Sequence, residues 1–353
     1  MDSFARRLLA WFDEHGRHDL PWQREATPYS IWVSEIMLQQ TQVSTVVPYF
    51  ERFMCSFPAI DDLARADLDD VLAHWSGLGY YARARNLHRT AQRIVDELGG
   101  ELPATVVELM ALPGIGRSTA GAIVALAHGR REPILDGNVK RVLARYHGIE
   151  GWPGTAAVLK KLWRFAEQHT PSSDVAAYTQ AVMDLGATLC RRGDPACERC
   201  PVRRGCRAAR DGRQAELPSS RPRRSRRQRR VHVLLVRDDA QRVLLERRPA
   251  TGIWGGLYSF PEIPSDTDAE SWCGRNLNAD VRGRRALPPI AHSFTHFDLT
   301  IEPTLLELGA DSSVVMDRPE WLWYKPAMKS ELGLPAPIAA LLENVFDRSE
   351  LCE

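Results

Sequence analysis

The stretch from Leu112 to Asn138 constrains this chain most. It reads Leu-Pro-Gly-Ile-Gly-Arg-Ser-Thr-Ala, continues as a small apolar run and closes on Leu-Asp-Gly-Asn. Thr105 with Glu108 three residues on is a capping box, so a short helix starts there. Pro113 and Gly114 stop it. Gly116 is expected to supply a tight turn, and a second helix begins near Arg117. Its small residues Ala120, Gly121, Ala122 and Ala125 permit close packing. Two helices joined in this way bare backbone N–H groups at a helix N-terminus, which suits a phosphate. Asp136 precedes the helical pattern Val139 to Tyr146, so at the least it caps that helix. The pattern alone also fits an ordinary corner between two helices.

A chain of 353 residues has room for two or three domains. No apolar run approaches the ~18 residues of a membrane span. The start, Met1 to Gly16, reads as an amphipathic helix and not as a secretory signal. A cytoplasmic, nucleoid-associated protein of bacterial type is expected. Net charge is only +1, but its distribution is uneven: residues 191–230 hold fifteen Arg against four acids. Such a tract is either a phosphate-binding footprint or a self-repelling solvated linker.

From Thr27 to Leu189 the apolar spacing is helical almost throughout, with short loops. Val231–Val236, Val243–Glu246, Leu299–Leu306 and Trp321–Tyr324 are β-like runs, and Pro335 to Phe346 is a terminal helix. Arg207 to Arg230 has no periodic apolar pattern. The organisation expected is a mainly α domain over 1–212, an Arg-rich linker over 213–230 and an α+β domain over 231–353.

Two features carry chemistry. Cys190, Cys197, Cys200 and Cys206 fall within 17 residues, and four thiolates so spaced can close on one metal centre, a [4Fe–4S] cluster or a zinc. Glu35 is surrounded by Ile31, Trp32, Val33, Ile36, Met37 and Leu38. A carboxyl so flanked is partly desolvated, its pKa rises, and it becomes a general acid near neutral pH. The alternative is a Glu on the exposed side of its helix.

Glu35 with the Gln-Gln-Thr-Gln run after it, Gly77 to Arg83, the Pro-Gly-Ile-Gly hairpin, Leu135-Asp136-Gly137-Asn138 and the four Cys occur in this order. Together they resemble the helix–hairpin–helix superfamily that includes endonuclease III, and within it the MutY-type adenine DNA glycosylases. The resemblance implies a helix–hairpin–helix glycosylase domain, the hairpin near 104–128. It implies a [4Fe–4S] cluster on Cys190, Cys197, Cys200 and Cys206 in the loop 190–206, and a C-terminal Nudix-like domain. The implied partner is double-stranded DNA carrying adenine opposite 8-oxoguanine or guanine, and the enzyme is expected to act as a monomer in base excision repair.

The resemblance also assigns roles to single residues. Glu35 is the implied acid, Asp136 the carboxylate that offsets the positive sugar, and Asn138 an orienting group. Gln40, Thr41 and Tyr80 are implied at the opened base stack, and Arg83, Gly114 and Gly116 at phosphates. Trp22 and Gln180 are implied in the adenine pocket. Ser118 stands where strand-cutting relatives carry a Lys; it cannot form a Schiff base, so no efficient lyase activity is expected. In the C-terminal domain Gly256 and Glu262 keep the opening Gly-x5-Glu of a Nudix box, but residues 263–272 lack the Arg-Glu and the paired Glu that hold Mg²⁺ in such a box. Phe294, Thr295 and His296 match the family's lesion-reading loop, with Thr in place of its Ser.

Overall fold

A computed structural model of the chain describes every residue except 25, 223–225, 295–296, 310–317, 326–331 and 347–353. Two compact units emerge, Met1–Arg65 with Asn86–Arg223, and Ala66–Arg85 with Arg224–Glu353. The first is helical: α1 (Ser3–His15), α2 (Pro21–Arg24), α3 (Pro28–Met37), α4 (Val43–Ser56) and α5 (Ile60–Arg65) precede the break. The inserted segment carries α6 (Leu68–His74), and the division falls within α7 (Ala82–Leu98). Next come α8 (Val106–Met110), α9 (Arg117–His128), α10 (Gly137–His147), α11 (Ala156–His169), α12 (Val175–Asp184) and the short α13 (Arg207–Arg210).

A core of Phe4, Leu8 and Phe12 from α1, Val142 and Leu143 from α10 and Tyr178 and Val182 from α12 holds this unit together. Against α3 and α12 packs α9, and its small residues make that approach possible. A Cβ at Gly121 would stand 2.6 Å from the carbonyl oxygen of Pro133, so the segment leading to Asp136 lies directly on α9.

The second unit is a mixed sheet between helices. Its strands are β1 (Arg227–Arg237), β2 (Val243–Arg247), β3 (Tyr258–Ser259), β4 (Glu262–Ile263), β5 (Val281–Ala286), β6 (Ile290–Ser293), β7 (Phe297–Leu308) and β8 (Trp321–Tyr324). They run in the order β3-β2-β1-β7-β5, with β4 on β1, β6 on β7 and β8 on β2. The spine is the parallel pair β1–β7, in register from Arg227 opposite Phe297 to Arg237 opposite Glu307. Side chains alternate across a strand. Val231, Val233 and Leu235 therefore pack with Ile338, Leu341 and Leu342 of α15 (Ala336–Phe346), and Leu234 and Val236 with Cys273 and Leu277 of α14 (Ala269–Leu277).

Two features depart from the sequence reading. β1 starts at Arg227, inside the stretch read as linker. Its first residues are polar on both faces, which hid the strand; Arg229 pairs with Glu262 at 3.0 Å and Arg230 with Glu302 at 3.5 Å. Ala66–Arg85, which chain order puts in the helical domain, belongs to the C-terminal unit. Asp69 pairs with Arg247 at 2.5 Å, the Tyr81 hydroxyl donates to the Leu334 carbonyl at 3.1 Å, and Arg85 donates to the Gly255 carbonyl at 2.5 Å. These bonds span well over a hundred residues of sequence, so local pattern carries no sign of them. Among the described residues no helix is long and apolar enough to cross a membrane.

Candidate active site

Local sequence sets Glu35 in place. Thr27 caps α3, accepting from the Ser30 N–H at 3.1 Å while the Ser30 hydroxyl accepts from the Thr27 N–H at 2.9 Å. Pro28 starts the helix at the position where a missing N–H costs nothing. Ile31, Trp32, Val33, Ile36 and Met37 are buried around it, and Glu35 keeps only partial exposure. That exposure is to a cleft of about 1140 Å³, whose wall also includes Asp136.

Asp136 is the N-cap of α10 and accepts from the Val139 N–H at 2.7 Å. The residue before it is pinned as well: the Leu135 N–H donates to the Ser118 hydroxyl at 2.9 Å. Burial raises the Asp136 carboxyl, against the N–H groups of Val139 and Asn138 and the charges of Arg141 and Lys140, which favour its anion. Glu35 has no donor among the described residues. Burial first, and then the negative charge of Asp136, push its pKa up to about 8. Of the two acids, Asp136 has donors and cations that favour its anion, and Glu35, without them, is the one that keeps its proton.

Asn138 accepts from Arg141 at 2.8 Å, and the same Arg141 nitrogen reaches the Gly186 carbonyl at 2.7 Å. Gly186 lies in a π-helical turn, Leu185–Leu189, that continues α12; such turns recur at functional sites. At the floor Gln180 and Arg17 both bond the buried carboxylate of Asp184. Trp22 closes one side, edge-on to Phe50 at 5.4 Å between centroids.

The cleft thus brings together Trp22, Glu35, Gln40, Thr41, Ser118, Asp136, Asn138 and Gln180, with Arg17, Lys140, Arg141, Arg191 and Arg192 making its wall basic. Gly114 and Gly116 lie in the same unit outside it. The hairpin turn needs its left-handed residue at Gly114 (φ 81°), not at Gly116, which has an extended φ of −90° and caps α9. Thr90 holds the turn through the Pro113 carbonyl at 3.0 Å.

Tyr80, Arg83 and Phe294 belong to the other unit. Tyr80 is 49 % exposed and left-handed, at φ 51°. Arg83 departs from the exposed setting that a phosphate contact calls for. It is buried, its Nη2 donates to the carbonyls of Leu78 and Gly79 at 3.2 and 3.0 Å and it lies over the Trp75 ring, so it braces the loop. Phe294 stacks on Phe297 at 4.7 Å; Thr295 and His296 lie outside the described residues. Glu262 is ion-paired with both Arg229 and Arg248 at 3.0 Å.

The four Cys, none of them in a disulfide, lie on a loop built from two 3₁₀ turns, Cys197–Arg199 and Arg203–Gly205. Arg145 of α10 donates to the Cys190 sulfur at 3.3 Å and to the Arg191 carbonyl at 2.8 Å. Burial, with the other three thiols adding, pushes the Cys200 thiol up to about 12. Thiols that suppress one another's ionisation are relieved by a cationic centre among them, so the four have the donor chemistry of a thiolate metal group. Among the described residues no group of three or more His, Cys, Asp or Glu is drawn tightly enough to hold a single ion.

Sequence reasoning missed Arg17, Arg141, Asp184 and Gly186. Asp184 had a signal: it sits between Val182, Met183 and Leu185, the same apolar setting that marks Glu35.

Residues 33–168 match the HhH-GPD superfamily of base excision DNA repair proteins, and residues 232–344 match the NUDIX domain. A solved thermostable thymine-DNA glycosylase superposes with a TM-score of 0.54 at 26% identity, over 59% of this chain and 95% of its own. An endonuclease III–DNA complex at TM-score 0.51 and 22% identity, over 59% of this chain and 94% of its own, shares the fold. The adenine DNA glycosylase of Buchnera aphidicola from Acyrthosiphon pisum is 37% identical over 97% of both chains. The human adenine DNA glycosylase is 34% identical over 98% of this chain and 73% of its own. On these matches the chain belongs to the adenine DNA glycosylase family.

Proposed function

We propose that the protein is a monofunctional adenine DNA glycosylase of base excision repair. It hydrolyses the N-glycosidic bond of adenine opposite 8-oxoguanine or guanine in duplex DNA, acting as a cytoplasmic monomer on the chromosome. The observation that carries the reading is that Glu35 and Asp136 line one basic cleft, Glu35 without a donor and Asp136 with donors that favour its anion.

Adenine leaves poorly as an anion. Glu35 delivers a proton to a ring nitrogen, so the base departs neutral. The sugar is left as an oxocarbenium-like cation, and Asp136 offsets that charge. General acid catalysis supplies roughly 10²–10⁴-fold, too little alone for this bond, so the second carboxylate is required; sugar hydrolases use the same division of labour. Deprotonated Glu35 then activates water. Asn138, held by Arg141, keeps the start of α10 and with it Asp136 in register. Ser118 has no amine and binds the backbone ahead of Asp136, so the product is an intact abasic site.

Neither carboxylate reaches a base inside a duplex, and flipping costs a few kcal/mol. Gln40 and Tyr80 are the side chains proposed to fill or brace the vacated stack, with Thr41 beside Gln40. Both have positive φ, a conformation that non-glycine residues keep mainly where function requires it. Gly114 and Gly116 leave the N-terminus of α9 open to a phosphate, and Trp22 and Gln180 enclose the adenine. Phe294, Thr295 and His296 are proposed to read the base opposite. The ion-paired Glu262 suits a Nudix-like domain that binds without cleaving pyrophosphate. Cys190, Cys197, Cys200 and Cys206 are the proposed ligands of a [4Fe–4S] cluster, whose contribution is to order the basic loop against the backbone of DNA.

The test is single-turnover adenine release from duplexes that differ only in the opposite base, with borohydride added in parallel. Release favoured by 8-oxoguanine and guanine, with no efficiently trapped adduct, is expected. Equal release from every duplex removes the mispair specificity; efficient trapping removes the monofunctional assignment; no release from any duplex removes the adenine reading.

A further inference from the structure

We propose that Asp184 is a positioning residue that turns the floor of the cleft into a reader of an amino group, by locking the amide of Gln180 with its oxygen facing the base. The inference rests on the reading of this cleft as an adenine site and adds what selects adenine within it.

Asp184 is 0 % exposed. Its Oδ1 accepts from the Arg17 Nε at 2.9 Å, from the Arg17 Nη2 at 2.5 Å and from the Gln180 Nε2 at 2.8 Å; its Oδ2 accepts from the Arg17 backbone N–H at 2.8 Å. Its own backbone carbonyl is held by the Thr188 hydroxyl at 2.8 Å, where the π-helical turn begins. Gln180 and Asp184 are four residues apart on α12 and so share one face.

A carboxylate facing a guanidinium is an acceptor and nothing else. The amide nitrogen of Gln180 must therefore face Asp184, and its oxygen must point the other way. A flipped amide would set a carbonyl oxygen against a carboxylate oxygen at the same separation, losing a charge-assisted bond and adding repulsion. Gln180 lines the cleft, and among the described residues nothing donates to its Oε1. The cleft accordingly offers a fixed acceptor to a purine. The exocyclic amine of adenine donates to it. A purine with hydrogen at that position leaves the acceptor unpaired, and a 6-oxo purine meets it with a second acceptor; sites built on one hydrogen bond discriminate against both.

The experiment measures single-turnover excision from duplexes identical except for the target base: adenine, unsubstituted purine or hypoxanthine. Differences in bond lability cancel when the same two substrates are compared across variants. Asp184→Ala is expected to lower the adenine-to-purine rate ratio about tenfold, the weight of one hydrogen bond, and to narrow the gap to hypoxanthine. Gln180→Met is expected to do the same. In the Gln180→Met background, Asp184→Ala should change the ratio no further, because the relay is already gone; a purely structural loss would persist there. A ratio within about twofold of wild type in Asp184→Ala, or an equal further drop in the double variant, overturns the proposal. Should Asp184→Ala fail to fold, Gln180→Met decides: an unchanged ratio overturns it. Wild type that excises no adenine from any duplex refutes the underlying assignment of the cleft, a different result from wild type that excises adenine with a ratio no variant alters.

Discussion

Gly186→Ala is expected to disable the site without touching either carboxylate. A Cβ at Gly186 would stand 2.5 Å from the Asn138 Cβ, 3.1 Å from its Cα and 3.2 Å from its carbonyl carbon. Carbon atoms rest at ~3.5–4.0 Å, so roughly 1 Å must open. No rotamer of alanine relieves the clash, and two of the three atoms it meets are backbone. The start of α10 must therefore move away from the π-helical turn, and Asp136 caps that helix two residues earlier. Arg141 resists the move, since one of its nitrogens bridges Asn138 and the Gly186 carbonyl. Overpacking of this kind costs about 1–3 kcal/mol, or about 2–12 °C in Tm for a unit of ~200 residues. A misplacement of ~1 Å at reacting groups costs about 10²-fold in rate. Expected together are a lowered Tm, a single-turnover rate reduced about 100-fold and duplex affinity changed by no more than a few-fold. A variant with lowered Tm and wild-type rate would refute the coupling of the π-helical turn to Asp136, and wild-type values of both would refute the packing argument itself.

Other substitutions probe the remaining assignments. Arg83→Ala should destabilise the loop around Tyr80 yet leave the slope of log affinity against log salt unchanged; a slope smaller by about 0.9 would restore the phosphate contact. Gly274→Ala, at an exposed helical position with nothing within 4 Å of the added carbon, should raise stability by about 0.5–1 kcal/mol in thermal melts. The purified protein should be brown with absorbance near ~400 nm. Cys200→Ser should lose that colour along with duplex affinity, whereas a colourless wild-type protein containing zinc would exclude the iron–sulfur assignment.

What was legible in the sequence was local. Glu35 among six apolar neighbours, Thr105 with Glu108, and Asp136 ahead of an amphipathic helix each rest on spacing a few residues long. The hairpin was legible as a turn, though not which glycine takes the left-handed conformation. Gly114 does so, and a Cβ there would also meet Asn86 at 2.8 Å, a neighbour from a helix remote in sequence. Arg83 was placed at a phosphate by resemblance alone; the partners of its Nη2 are carbonyls of the loop it braces. Arg227 to Arg230 misled because polar residues on both faces conceal a strand. The short strands β3, β4 and β6 exist through their pairings, which residue pattern does not encode. Asp184 is the instructive omission, since the rule that selected Glu35 applies to it unchanged.

The central claim concerns the protonation of two acids, and the most direct measurement is the titration of the Glu35 carboxyl by ¹³C NMR, in wild type and in Asp136→Asn. Burial and the Asp136 charge together put its pKa at about 8. Glu35 should therefore hold its proton below that pH and lose it above, and single-turnover excision should fall as pH rises through the same range. Replacing Asp136 removes only the second cause, so the Glu35 pKa should drop while remaining above the ~4.3 of a free glutamate. A Glu35 that titrates near ~4.3 in wild type, or whose pKa does not respond to Asp136→Asn, would contradict the division of labour between the two acids.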